Sequence, residues 1–246
     1  MQHFNGNPCC VIDTETSGLD STFHEILEIA IVPLDYNFEP WKGCLPFYLR
    51  MKPNHPERIS PEAIRINKLD VAKCIANGVD QEAGSELLQE WIRKLNIPAN
   101  KYGSPNRIMP LGQNYQFDKG FIQQWLGPAT YDSMFHYHYR DTMVSALAMN
   151  DRAGYYAERI PFPKVNLQYL ATTLGVKTLG AHNALHDALT TARVYQKLMK
   201  YREDWALPNG GALLPVPPEL AVDDAQDQDY WNRLDQLART NDTHVL

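Results

Sequence analysis

The 246-residue chain is 44% hydrophobic and 21% charged, which suits one large or two small globular domains and argues against disorder, collagen or a coiled coil. Its net charge of −6 is uneven, because residues 1–202 hold 21 Lys and Arg against 20 Asp and Glu while residues 203–246 hold two against nine. The body therefore does not repel phosphates, yet it is too weakly charged for tight, salt-driven binding to duplex DNA, so a nucleic-acid ligand would have to be held locally.

Met1 to Pro8 lacks the basic start and apolar run of a secretion signal, and no later stretch approaches the ~18 apolar residues of a membrane helix. A cytoplasmic protein that does not engage membranes is expected. Cys9-Cys10-Val11-Ile12 reads as a short buried strand, Glu25 to Leu34 as a second and Leu45 to Met51 as a third, which predicts an antiparallel meander. Cys9 and Cys10 are adjacent while Cys44 and Cys74 stand alone; with no C-x-x-C spacing, all four are expected as reduced thiols. Ser60-Pro61 opens a short helix to about Leu69, and Asp80 opens a longer one with Leu87, Leu88, Trp91, Ile92 and Leu95 on one face. Ile108 to Leu111 is a fourth strand. Asn114 then caps a helix carrying Phe117, Phe121 and Trp125. Phe135 to Arg140 is predicted as a fifth strand with Phe135, Tyr137 and Tyr139 on one face and His136, His138 and Arg140 on the other. Strand and helix alternate from here, which predicts parallel pairing. Leu167 to Leu174 and Asn183 to Tyr201 complete the helices of a domain spanning 1–202. Residues 203–246 read as an acidic, Pro-rich linker followed by an amphipathic helix through Trp231, Leu234 and Leu237. Its face over 225–239 would suit a protein partner or pack back on the domain.

Three acidic clusters carry chemistry. Asp13-Thr14-Glu15 follows the first strand, where residues i and i+2 of an extended segment point to one side. A chain with 17 Asp and 12 Glu holds about one D-x-E by chance, so context decides. Asp80-Gln81-Glu82 is the internal control: it opens a helix, where acids at the positive end of the dipole are ordinary. Asp13 and Glu15 instead follow a buried strand, where two acids would raise each other's pKa unless a cation joined them. Asp118 sits on the first turn of its helix, beside the apolar stripe of Phe117, Phe121 and Trp125. The third cluster is His182 to Asp187, at a loop-to-helix junction that lets His182 and Asp187 reach one cleft. His136 to Asp141 has the same spacing within a predicted strand. His186 points about 100° away from Asp187 and reads as a surface or supporting residue.

These clusters, in this order, resemble the DEDDh family of 3′–5′ exonucleases, which have a ribonuclease H-like α/β fold. The resemblance is carried by Asp13-Thr14-Glu15-Thr16-Ser17-Gly18-Leu19-Asp20, by Asn114 to Asp118 and by the H-x-A-x-x-D run from His182 to Asp187. Ile59 to Ile64 and Asp141-Thr142 match connecting segments, so the similarity covers roughly Cys9 to Arg202. Gln113 departs from it, standing where many relatives have His. The resemblance implies a five-stranded mixed sheet, an antiparallel meander followed by parallel strands, flanked by helices. It implies two divalent cations, Mg²⁺ or Mn²⁺ given the oxygen-only ligands. Asp13 would bridge them, Glu15 and Asp187 would complete the nucleophile side, and Asp118 would support the second. His182 would be the general base. Backbone around Thr14 to Thr16 would grip the terminal nucleotide, and Leu19, after Gly18, would wedge beside its base; the alternative is that Gly18 and Leu19 form a turn with a buried anchor. The expected reaction is release of 5′-mononucleotides from the 3′ end of single-stranded nucleic acid, DNA favoured. An RNA-trimming enzyme of the family, a non-catalytic binding module and a polymerase-associated subunit are the alternatives.

Overall fold

Eight residues, Cys9–Thr16, form the central strand β1 of the computed structural model, which describes residues 5–99, 103–178 and 183–201. The strand runs four residues beyond Ile12, so Asp13 and Glu15 lie inside it. Antiparallel pairing with β2 (Ile26–Pro33) continues through Asp13↔Ala30, Glu15↔Glu28 and Thr16↔Ile26 and keeps the acidic end extended. Strand β3 (Phe47–Arg50) adds to β2 antiparallel, while β4 (Met109–Gly112) and β5 (Arg140–Asp141) add on the other side in parallel. The order β3-β2-β1-β4-β5 is the expected meander followed by parallel strands.

Helices cover both faces. Ser60 caps α1 (Pro61–Asn67) by accepting the Ala63 amide. Helix α2 (Val71–Asn77), capped by Asp70, was not expected; it buries only Cys74 and so has little apolar periodicity to read. Helix α3 (Gln81–Lys94) starts after Asp80 as predicted and buries Leu88 and Trp91. Helix α4 (Tyr115–Leu126) follows β4. With α3 it packs on Cys10, Ile12, Ile29, Ile31, Phe47 and Leu49 of one sheet face.

The predicted fifth strand is a correction. Pro128–Met134 forms α5, only Phe135 makes an isolated bridge to Ile108, and β5 is two residues long. Between them the His138 amide donates to His136 Nδ1 at 3.0 Å, and the His136 and Tyr137 rings stack at 4.5 Å. This local bond competes with ladder pairing and removes the alternation expected of a strand.

Helix α6 (Thr142–Tyr155) follows β5 directly and was not read from the sequence; α7 (Leu167–Thr173) and α8 (Ala184–Lys200) match expectation. Helix α8 crosses the second sheet face, where Ala184, Ala188 and Ala192, spaced by four, bring it close to Cys9, Val11, Ala30 and Val32, and Leu185 and Leu189 fill the flanks. Burying each such Leu or Val contributes about 1.5–3 kcal/mol, so this seam fixes the helix on the sheet. All four cysteines are free thiols, as expected. No described helix is long and apolar enough to cross a membrane. The linker and amphipathic helix expected in 203–246 lie outside the described residues.

One carboxylate joins the end of the sheet to two helices. Asp141 is buried and N-caps α6 through the Met143 and Val144 amides (2.8 and 3.3 Å). It also accepts the Asn114 and Tyr115 amides (3.1 and 2.7 Å), the first amides of α4. Asn114 itself, expected to cap α4, adopts a left-handed conformation (φ 60°) and makes no capping bond with its side chain. Loss of a cap costs about 1 kcal/mol. Asp141→Ala is therefore expected to lower unfolding free energy in urea by about 2 kcal/mol or more, with Asp141→Asn recovering part of it because an amide oxygen can still accept.

Candidate active site

The alternation of β1 and the two sheet faces assemble the site. Asp13 and Glu15 share the α8 face, and Asp187 hangs from the first turn of α8 towards them, so that one carboxylate oxygen from each of the three lies within 4.8 Å of the others. Thr14 points to the opposite face and meets α4. There its amide and hydroxyl both donate to Asp118 Oδ1, at 2.9 and 2.7 Å, and fix that carboxylate next to Asp13. Three segments remote in sequence thus converge at the carboxyl end of the central strand, and Asp118 comes over the strand from the other side.

This crowding has an electrostatic cost. Asp13 is raised well above the usual carboxylate range, first by burial and then by Asp118, Asp187, Glu15 and Glu28. Glu15 is pushed up to about 9 by burial, Asp187, Glu28 and Asp118. Asp118 is pushed up to about 7, chiefly by burial, against the lowering effect of its two bonds from Thr14. The charges acting on Asp13 and Glu15 are all negative. A set of clustered, oxygen-only donors with proton affinities raised by mutual repulsion fits a hard divalent cation such as Mg²⁺ or Mn²⁺. Asp13, Glu15 and Asp187 would hold it, with Asp118 alongside.

Sequence reasoning missed Glu28, which is 0% exposed. It lies directly across from Glu15 on β2 and directly across from Arg50 on β3, so Glu15, Glu28 and Arg50 form one row over three strands. Like charges opposite one another in a sheet repel. Arg50 answers by donating Nε and Nη2 to Glu28 Oε1 at 3.0 and 2.6 Å. The other oxygen, Oε2, faces the start of α8, 3.4 Å from the Ala184 amide and 3.5 Å from Asn183 Nδ2. Asn183 also caps α8 by accepting the His186 amide and donates to the Tyr48 hydroxyl. Glu28 and Arg50 thereby brace the turn that carries Asp187. The available signal was a lone acid in the otherwise apolar run Ile26–Pro33, every residue of which is buried.

The remaining expected residues divide. Leu19 is 82% exposed, so it is not a buried anchor. A Cβ at Gly18 would lie 2.1 Å from the His24 ring, so any side chain there would have to displace that ring. The Thr16 hydroxyl donates to Gly18 O and shapes the turn. The Thr14 amide is committed to Asp118, which removes it from the backbone groups expected to grip a nucleotide. His186 is buried rather than at the surface. His182 lies outside the described residues. Gln113, the departure from the family pattern, donates to Val165 O at 2.8 Å and accepts from the Thr142 hydroxyl at 2.5 Å, which ties β4 to α6 away from the carboxylates.

A five-stranded mixed sheet with acids converging at the carboxyl end of its central strand is the arrangement of ribonuclease H-like nucleases. A family model described as Exonuclease matches residues 10–195. Ribonuclease T of Yersinia pseudotuberculosis is 26% identical over 211 residues, covering 83% of this chain and 92% of the relative. Among solved structures, E. coli Exonuclease I in complex with a dT13 oligonucleotide superposes with a TM-score of 0.60 at 18% identity over 82% of this chain, which spans 43% of that one. The nuclease domain of 3′hExo, a DEDDh family member bound to rAMP, superposes with a TM-score of 0.57 at 14% identity, covering 81% of this chain and 94% of that one. The chain belongs to this exonuclease family, that of the DEDDh 3′–5′ exonucleases.

The raised carboxylates set a pH dependence. The native state holds protons that the unfolded chain has released, so stability without metal falls as pH rises from the ordinary carboxylate pKa near 4 through the native values of about 7 and about 9. Each pKa unit is worth about 1.4 kcal/mol, and 1 kcal/mol moves Tm by about 2–4 °C in a chain this long. In chelator, Tm is expected to drop by roughly 5 °C or more between pH 5 and pH 9. Calorimetry should show millimolar Mn²⁺ reversing the drop and Asp13→Asn flattening it.

Proposed function

We propose that this chain is a metal-dependent 3′–5′ exonuclease that releases 5′-mononucleotides from single-stranded nucleic acid, DNA in preference to RNA. The observation that carries the reading is the gathering of Asp13, Glu15 and Asp187 within 4.8 Å, with Asp118 fixed beside Asp13 by Thr14. Mg²⁺ or Mn²⁺ bound by these four carboxylates would neutralise the phosphodiester and lower the pKa of a water. The chain's own residues do the rest. Asp13, Glu15, Asp118 and Asp187 set the depth and orientation at which the scissile phosphate sits. Arg50 and Glu28 keep the turn bearing Asp187 in register.

His182, five residues before Asp187 in sequence, is the proposed general base, taking the water proton as a neutral imidazole. Leu19 is the proposed wedge against the terminal base: an exposed leucine on a tight turn beside the acids supports holding a strand by apolar contact with its bases, which is tolerant of sequence. The single strand bound to Exonuclease I supports DNA as substrate. The ribonuclease T relatives and the rAMP in 3′hExo support the second reading, an RNA-trimming enzyme. The segment 225–239 is proposed as an accessory face for a protein partner, dispensable for hydrolysis of short strands.

The deciding experiment incubates 5′-labelled single-stranded DNA and RNA with the protein in Mg²⁺, Mn²⁺ or chelator. A metal-dependent ladder shortening from the 3′ end, faster on DNA, is expected, with Asp13→Ala slower by about 100- to 1,000-fold, as for other losses of transition-state charge stabilisation. Binding without shortening would identify an inert module. His182→Ala is expected to lose most turnover and the neutral-pH limb of the rate profile while still binding Mn²⁺. Leu19→Ala is expected to raise KM more than it lowers kcat.

A further inference from the structure

Helix α6 has more apolar surface than the domain covers. On its inner side Ala146 joins Phe162, Leu170, Val194 and Leu198 in a buried cluster between α6, α7 and α8. On the next side round, Ser145, Ala148, Met149 and Arg152 recur at i, i+3, i+4 and i+7, the spacing of a single helical stripe. With Met199 and Tyr201 at the end of α8 they wall a groove of about 370 Å³. Small side chains at 145 and 148 keep its floor low, and Met199 beside it is 49% exposed. Val144, one residue before the stripe, and Tyr155, one turn after it, are exposed as well and continue the apolar surface. An open trough with anchors at this spacing suits an amphipathic helix laid into it.

The chain leaves from the wall of this groove. Tyr201 lines it and is the last residue described at this end. It is fixed there, because its ring packs on Phe162 at 5.2 Å and its amide donates to Leu198 O at 3.2 Å. The sequence that follows carries a matching stripe. Trp231, Leu234 and Ala238 stand at i, i+3 and i+7, flanked by Tyr230 and Leu237. Trp231 to Ala238 and Ser145 to Arg152 both rise ~10 Å at 1.5 Å per residue in a helix. Charge agrees with shape. Arg152 lines the groove and Lys200 lies between Met199 and Tyr201 in the chain, whereas Asp223, Asp224 and Asp227 precede Trp231.

Tethering favours this segment over any free occupant. The stretch from Tyr201 to Trp231 spans roughly 30 Å as a flexible coil, and a linker of that order gives an effective concentration of about 1 mM. A second copy of the chain at micromolar concentration competes at a disadvantage of about a thousandfold.

We propose that segment 225–239 of this same chain seats in the groove between α6 and α8 as an amphipathic helix. Trp231, Leu234 and Ala238 cover the stripe from Ser145 to Arg152, and the acidic start of the segment lies towards the cations. A protein partner that takes the same face has to draw it off this seat, so the groove and the partner compete for one segment.

Two measurements on the full chain test the assignment. In hydrogen exchange, the amides of 149–155 are expected to exchange about tenfold faster in Leu234→Asp, and to a smaller degree in Trp231→Ala, than in wild type. Equal rates in all three overturn the proposal. The second measurement places the photo-reactive p-benzoylphenylalanine in place of Tyr155 and irradiates the protein at micromolar concentration. A monomer-sized adduct joining position 155 to a peptide within 225–239 is expected, its yield falling about tenfold with Leu234→Asp. An adduct of dimer mass assigns the groove to a second copy and overturns the proposal, and so does the lack of any adduct to 225–239.

Discussion

Negative charge held out of water governs this protein. Asp13, Glu15, Glu28, Asp118 and Asp187 crowd one end of the sheet, and burial together with mutual repulsion raises the proton affinity of Asp13 and Glu15. An isolated buried carboxylate would neutralise itself or unfold its surroundings. Here the chain concentrates several and holds them in place, so the surrounding architecture can be understood as the means of keeping them together.

Each acid is managed differently. Glu28 is matched by a guanidinium one strand away and turned into a brace for α8. Asp118 is oriented by two donors from a single residue of β1. Asp141, set back from the cluster, takes four amides and seats the helix that carries Asp118. Asp13, Glu15 and Asp187 keep oxygens directed at one another. That residual imbalance is what a divalent cation would relieve, and it separates the acids that build the site from those that would bind there.

The elements legible in the sequence are those whose pattern is set by burial alone. The apolar runs of β1 and β2 and the stripe of α3 each declare a face, and the meander and parallel pairing follow from loop lengths and alternation. The failures are long-range or side-chain driven. The alternating aromatics after Phe135 imitate a strand, but a histidine ring that binds a neighbouring amide overrides that pattern. Asn114 looks like a cap, yet Asp141, 27 residues away, does the capping. Asp141 entered the sequence reading as part of a connecting segment, because nothing local reveals that it serves two helices. Glu28 was hidden for the opposite reason: its strand is so apolar that the acid passes as an interruption, and only the register across from Glu15 and Arg50 gives it meaning.

The shared carboxylate of Asp141 makes α4 and α6 mechanically one piece at their starts. Two of its four hydrogen bonds hold the start of α6, whose outer surface bears Val144, Leu147 and Tyr155 in contact with solvent, and two hold the start of the helix that carries Asp118. The first turn of α6 and the first turn of α4, which carries Asp118, are thus seated on a single side chain.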